Sequence, residues 1–231
     1  MSKLIYTLLI LSLQWPLCLH AAPVISQQLR DAFARQQQRA QANNQDMNAF
    51  KNDMKDLADK GDPVAQFYYA VLNDSDNPYT PENLKYLQNS ANGGCAGAAG
   101  LIAMYYSTKN KGMGKYWLEY AAKNGEANSQ FMIAMNYFSG ENGYIKDPAA
   151  SYGWLLLASA QVYSKGLQSQ IEMILFNMNG QYSKEQISKG KKIYSELRKK
   201  YEIQPFHICG QMLPGNDRLS ESKIKELRAI K

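Results

Sequence analysis

Three stretches of the chain are variants of one another: Ala65-Gln-Phe-Tyr-Tyr-Ala-Val-Leu72, Ala98-Ala-Gly-Leu-Ile-Ala-Met-Tyr105 and Ser129-Gln-Phe-Met-Ile-Ala-Met-Asn136. Each opens on a small residue, has a bulky one at its fifth place and Ala at its sixth (Ala70, Ala103, Ala134), and the copies are 33 and 31 residues apart. A second block follows each copy. It reads Lys85-Tyr86-Leu87 with Ala91 and Gly94, then Lys115-Tyr116-Trp117-Leu118 with Ala121, Ala122 and Gly125, then Tyr152-Gly153-Trp154-Leu155 with Ala158 and Ser159 but no Gly. Met54 to Gly61 is an incomplete earlier copy of this second block, with Leu57, Ala58 and Gly61.

The apolar spacing within each block is that of an amphipathic helix. Small residues at fixed places let two helices approach closely. Gly61, Gly94 and Gly125 are placed to end the second helices in the left-handed conformation that glycine adopts at no steric cost. One helix pair cannot bury its apolar face alone, so repeated pairs stack into a solenoid.

Outside this array the chain changes character. Residues 23–48 are rich in Gln and Asn, and Ile25, Leu29 and Phe33 predict a helix over about 24–40, packed on the first pair or left as a polar arm. Ile171, Ile174, Leu175 and Met178 predict a helix over 164–178, ended by Asn179-Gly180. Ser183 and Gln186 form a capping-box pattern that opens a further helix, with Ile187, Tyr194, Leu197 and Tyr201 on one side and Pro205 as its stop. Residues 202–217 read as loop, and 219–230 as a short helix.

The first residues read as an address. Lys3 is the sole charge among the first 29 residues, Leu4–Leu13 is mostly apolar, and Leu19-His20-Ala21-Ala22 supplies small residues for cleavage. This is the pattern of a secretory signal peptide cut after Ala21. It would leave about 210 residues with one histidine, His207, and two cysteines, Cys95 and Cys209. In an oxidising compartment these two either form a disulfide or stay as free thiols. The segments expected are a signal peptide over 1–21, a polar helix or arm over 22–45, repeats over 46–168, capping helices over 169–201 and a basic tail over 202–231.

The repeat residues resemble the Sel-one-like repeat family, relatives of tetratricopeptide repeats. The third copy matches the family's turn through Tyr137, Gly140, Gly143, Asp147, Ala149 and Trp154, and the second copy matches its second helix. Ala stands where the family has Gly in all three first helices, and the first two copies have shortened turns. The likeness spans residues 46–168. It implies an all-α fold, a right-handed α-solenoid of helix-turn-helix repeats with helical caps. It also implies a periplasmic scaffold or adaptor that binds proteins. Some periplasmic members resemble immunity proteins against type VI secretion effectors, notably phospholipases. Cysteine-rich relatives linked to β-lactams carry a Cys pair per repeat, whereas this array has Cys95 alone.

The chain has 231 residues, 45% hydrophobic, with three Cys and two His. That excludes a disulfide-dense miniprotein and leaves a His-built metal site almost no ligands. No phosphate-cradling loop is present, since Gly93-Gly94 lacks the Lys-Ser/Thr that such a loop needs. Asp53/Asp56 and Asp74/Asp76 read as solvated charges, and no catalytic residue, cofactor or metal is expected. The formal charge of +6 resides in the last 49 residues, while residues 22–182 are nearly neutral. An exported protein is a poor candidate for a nucleic-acid partner. That leaves a solvated helix face, an acidic protein or an anionic membrane surface as readings of the basic end.

The candidate partner-binding residues are those at the fourth and seventh places of each first helix: Tyr68 and Val71, Leu101 and Met104, Met132 and Met135, joined by Tyr105 and Asn136. Met and Tyr suit adaptable protein-binding surfaces. The competing reading is that neighbouring helices bury them all. The function expected is protein binding without catalysis, with an immunity protein as the specific form. An envelope adaptor or a β-lactam- or peptidoglycan-acting hydrolase stand as alternatives.

Overall fold

The computed structural model describes residues 25–41, 47–74, 76–162, 164–201 and 209. Their regular elements are ten helices: α1 (Gln27–Gln41), α2 (Met47–Asp59), α3 (Pro63–Asn73), α4 (Pro81–Asn92), α5 (Ala96–Ser107), α6 (Lys111–Lys123), α7 (Ala127–Ser139), α8 (Pro148–Gln161), α9 (Lys165–Gln181) and α10 (Lys184–Lys200). The expected signal peptide, the polar residues 42–46, Pro205, His207 and the short helix over 219–230 lie outside the described residues.

From α2 to α8 each helix packs on its neighbours in sequence, giving the antiparallel hairpin array that the repeats predict. The recurring joint between a second helix and the next first helix has one construction. At Gly61, Gly94 and Gly125, φ is +92°, +90° and +85°. The following amide reaches back five residues: Asp62 to Leu57, Cys95 to Ser90 and Glu126 to Ala121, at 3.0–3.1 Å. That is a Schellman turn, with the glycine at the position where an L side chain would be strained. The residue closing each turn is also the N-cap of the next helix. Asp62 accepts from the amides of Val64 and Ala65, and Glu126 from those of Asn128 and Ser129. In the middle copy the slot holds Cys95, which makes no side-chain cap.

The sixth-place alanines Ala70, Ala103 and Ala134 are buried, as are Tyr69, Ile102 and Ile133 at the fifth place. A polar feature repeats with them. Gln66 and Gln130, both buried at the second place, donate to the carbonyls of Ala58 and Ala122, eight residues back on the preceding helix (3.3 and 2.9 Å). Each carbonyl also accepts the amide of the turn glycine, Gly61 or Gly125, so the glutamine supplies a second donor that ties the two helices together.

The N-terminal helix starts at Gln27 and covers the first pair. Leu29 and Ala32 are fully buried, and the Phe33 ring packs on Phe50 and Tyr68 (centroids 5.5 and 5.2 Å). Arg35 and Arg39 meet Asp53 at 3.1 and 3.5 Å. Asp53 therefore ties α1 to α2 and is not a merely solvated charge. Asp74 likewise accepts from the amides of Asp76 and Asn77 and shapes the turn before α4.

The C-terminal end departs from simple stacking. All of α8 after Pro148 is buried, because α7, α9 and α10 surround it. Two glycines allow the closest approach. A Cβ on Gly153 would lie 2.8 Å from Ile193 and 3.0 Å from the Gly190 carbonyl, and one on Gly190 would lie 2.8 Å from the Tyr152 ring. Tyr201 stacks on Trp154, and the Tyr152 hydroxyl donates to Asn179 (3.0 Å). Two expectations are corrected here. The repeat boundary at 168 falls inside α9, which begins at Lys165. Asn179-Gly180 does not end α9, which continues to Gln181 and closes with the Tyr182 amide on the Met178 carbonyl. Gly180 lacks the left-handed φ that ends the other helices. The capping box at Ser183 and Gln186 forms as read.

Candidate partner-binding surface

The eight stripe residues divide by burial. Tyr68 is 1% exposed, enclosed by Phe33, Phe50 and Phe67, so α1 occupies the position where a partner would touch the first copy. Asn136 is also buried. Its side-chain oxygen accepts from Asn142 (2.8 Å) and its backbone carbonyl from the amides of Gly140 and Glu141. Asn142 has φ +52°, and Asn136 therefore holds the α7–α8 turn together. Both residues serve the fold. Val71, Leu101 and Met132 are half-buried, with part of each side chain against the core. Met104 is 50% exposed, Met135 and Tyr105 are half-buried, and Phe138, one turn beyond Met135, is exposed. Sequence reasoning missed Phe138, because it falls outside the repeated eight-residue block.

Tyr105 belongs to an aromatic row. Its ring lies 5.4 Å from Tyr79 and 5.0 Å from Tyr106, with the Lys109 ammonium 3.8 Å above it. The row places a cation and π faces at the C-terminal end of α5, next to Met104. Such an arrangement suits a flat, adaptable contact of mixed polarity.

Beside the stripe, α5, α6, α7 and the 140–147 turn enclose a cleft of about 40 Å³ lined by Ala103, Lys115, Met132 and Tyr144. The Lys115 ammonium donates to the Gly143 carbonyl (2.8 Å) and lies over the Tyr144 ring, and the Tyr144 hydroxyl donates to Glu119 (3.4 Å). Burial, with the Glu119 charge second, pushes the Tyr144 phenol well above the usual tyrosine range. The cleft has room for about one water, whereas organic ligand sites run to about 300 Å³ and more. A polar cluster at the other end joins Lys55, Asp59 and Tyr86. Asp59 meets Lys55 at 2.8 Å and accepts from the Tyr86 hydroxyl at 2.5 Å. The Lys55 contact, followed by that of Tyr86, lowers the Asp59 carboxyl. Among the described residues no group of three or more His, Cys, Asp and Glu could hold a metal ion, and no helix is long and apolar enough to cross a membrane.

Cys95 and Cys209 come to disulfide distance, with Cα atoms 5.5 Å apart and both residues buried. Cys209 thus lies at the start of α5. The Cys209 carbonyl sits against Gly97, where a Cβ would lie 2.6 Å from its oxygen. Gly97 is one turn before Leu101 and two before Met104, on the same face of α5. Compared with protein-family models and with curated proteins, the chain finds no match.

Proposed function

We propose that the chain is an exported, non-catalytic binding protein of the Sel-one-like repeat kind, a right-handed solenoid that holds a protein partner on α5 and α7. The observation that carries this reading is Met104. A methionine half exposed in the last turn of a largely packed repeat helix, beside Leu101 on α5 and with Met132, Met135 and Phe138 on α7, leaves apolar area without an intramolecular use. Val71 and Tyr105 extend the surface, and Tyr68 and Asn136 are withdrawn from it. The specific partner that the family resemblance suggests is a toxic effector, a phospholipase of type VI secretion, met in the periplasm. An envelope adaptor is the broader form of the same reading.

The test is affinity capture of the mature chain from its own cells, beside Met104→Glu/Met135→Glu. The partner is expected to be lost from the variant while its helical circular dichroism is unchanged. An exported toxin encoded by the neighbouring gene, and rescue of poisoned cells, would give the immunity form. Capture unchanged by the double substitution would refute this surface. Turnover of β-lactams or peptidoglycan fragments by the purified chain would refute the non-catalytic reading.

A further inference from the structure

The opposite end of the molecule carries a second uncommitted surface. On α9, Ile171 and Met178 are buried against the rest of the fold, while Met173 and Phe176 point to solvent, 60% and 78% exposed and one turn apart. One turn further on, Asn179 lines an open groove of about 420 Å³ together with Tyr182, Lys184, Ile187 and Lys191. Phe176 therefore lies one helical turn before the residue through which α9 lines this groove, and Met173 one turn before that. The α10 sequence holds seven Lys and Arg against two Glu. Lys189 meets Asp147 at 3.8 Å. Among the described residues no carboxylate lies within ion-pair distance of Lys184, Lys191, Lys192 or Lys199, and all four are exposed. The carboxylate on this part of α9, Glu172, accepts from Gln168 (2.8 Å).

We propose that this end docks on an anionic lipid surface, with Met173 and Phe176 entering the headgroup layer and Lys184, Lys191 and Lys192 lying over lipid phosphates. Single exposed apolar residues are ordinary on protein surfaces, and so are basic helix faces. Their adjacency is what selects a lipid. Interfacial binding draws on buried apolar area and on attraction to anionic headgroups together, and neither suffices alone. An acidic protein would draw on the same lysines and is the alternative outcome of the experiment below. Lysine suits the headgroup layer, since its long stem lies along apolar surface while its ammonium stays with the phosphates. This surface lies on α9 and α10 and the stripe on α5 and α7, so the two proposals stand or fall separately.

The experiment is co-sedimentation of the full chain with vesicles of phosphatidylcholine alone and of phosphatidylcholine with phosphatidylglycerol. Binding is expected only where phosphatidylglycerol is present, falling as salt is raised. Each lysine near such a surface contributes roughly fivefold. Reversing two of them in Lys184→Glu/Lys191→Glu is therefore expected to weaken binding more than about 100-fold. Phe176→Ser is expected to weaken it about tenfold. All three positions are exposed, so the helical content of the variants should match that of the parent, and Met104→Glu should bind vesicles as the parent does. Absence of binding to the anionic vesicles overturns the proposal. So does binding that the lysine reversals abolish but Phe176→Ser leaves unchanged, which would make the attraction electrostatic alone with no entry into the headgroup layer; an acidic protein as the true partner predicts no vesicle binding at all.

Discussion

Gly97 offers a test of whether the tail is part of the folded array. Where the backbone is helical and the Cβ meets no clash, replacing glycine by alanine stabilises by up to about 1 kcal/mol, chiefly by restricting the unfolded chain. Here the new Cβ would lie 2.6 Å from the Cys209 carbonyl oxygen and 3.3 Å from the edge of the Phe67 ring. The ring can yield by a few tenths of an ångström. The carbonyl is backbone, tethered through Cys95, and cannot withdraw without dragging the bridge. Overpacking of this kind costs about 1–3 kcal/mol. With the tether, Gly97→Ala should therefore destabilise. In a Cys209→Ser background, where the tail is free to leave, the same change should stabilise by roughly 0.5–1 kcal/mol. The substitution changes sign between the two backgrounds, giving a coupling of about 1.5–4 kcal/mol. The assay is urea unfolding of the four members of the cycle, monitored by circular dichroism. The tether itself closes a loop with a sequence separation of 114. In the chain-entropy model that is worth about 5 kcal/mol, so Cys209→Ser alone should shift the midpoint strongly. The Phe67 contact is present in both backgrounds and cancels. Equal effects of Gly97→Ala with and without Cys209 would refute the docking of the tail on α5.

Gly190→Ala should cost about 1–3 kcal/mol, because its Cβ would press on Tyr152 and on the Ala149 carbonyl, and protease digestion should then release α10 first; unchanged stability would contradict the glycine contact. Gln130→Met keeps the volume but removes the donor to the buried Gln161 oxygen and one of the two donors to the Ala122 carbonyl, so it should cost roughly 1–3 kcal/mol in urea unfolding, with a neutral result speaking against the buried link. Several tyrosines, among them Tyr79, Tyr137, Tyr144 and Tyr152, are raised above their ordinary value of 10.0 chiefly by burial. A phenol raised on folding contributes stability that is whole below the unfolded pKa and is lost as pH climbs from about 10 through the folded value. Ultraviolet titration should therefore show these four phenols ionising only as circular dichroism reports unfolding; their ionisation near 10 in a still-folded chain would refute their burial.

Much of the array was readable because its determinants are local. The glycine turns at 61, 94 and 125, the capping box at Ser183 and the small residues Ala70, Ala103 and Ala134 act within a turn or two of their own position, and the structure uses each as read. The surface stripe was readable only by half. Met104 is exposed, whereas Tyr68 and Asn136 were lost to contacts that no repeat pattern contains: α1 laid over the first copy, and Asn142 turned back onto α7. The groove at α9 and α10 was illegible for the same reason. It depends on α10 crossing α8 at Gly153 and Gly190, two glycines far apart in sequence whose meaning appears only when their backbones meet. Cys95 and Cys209 were left open between bridge and free thiols, and α5 brings them together.

The burial of α8 on every side has a consequence for how such a chain can vary. Elsewhere in the array a helix pair meets its neighbours through one common joint, so a copy can in principle be duplicated or deleted upstream with the joint re-formed each time. Beyond α8 that freedom ends. Its outer face is already taken by α10, and a further pair inserted there would have to displace a helix fitted glycine to glycine. An added pair would meet this obstacle after α8 and not at the glycine joints ahead of it, which makes α8 the fixed stop of the array.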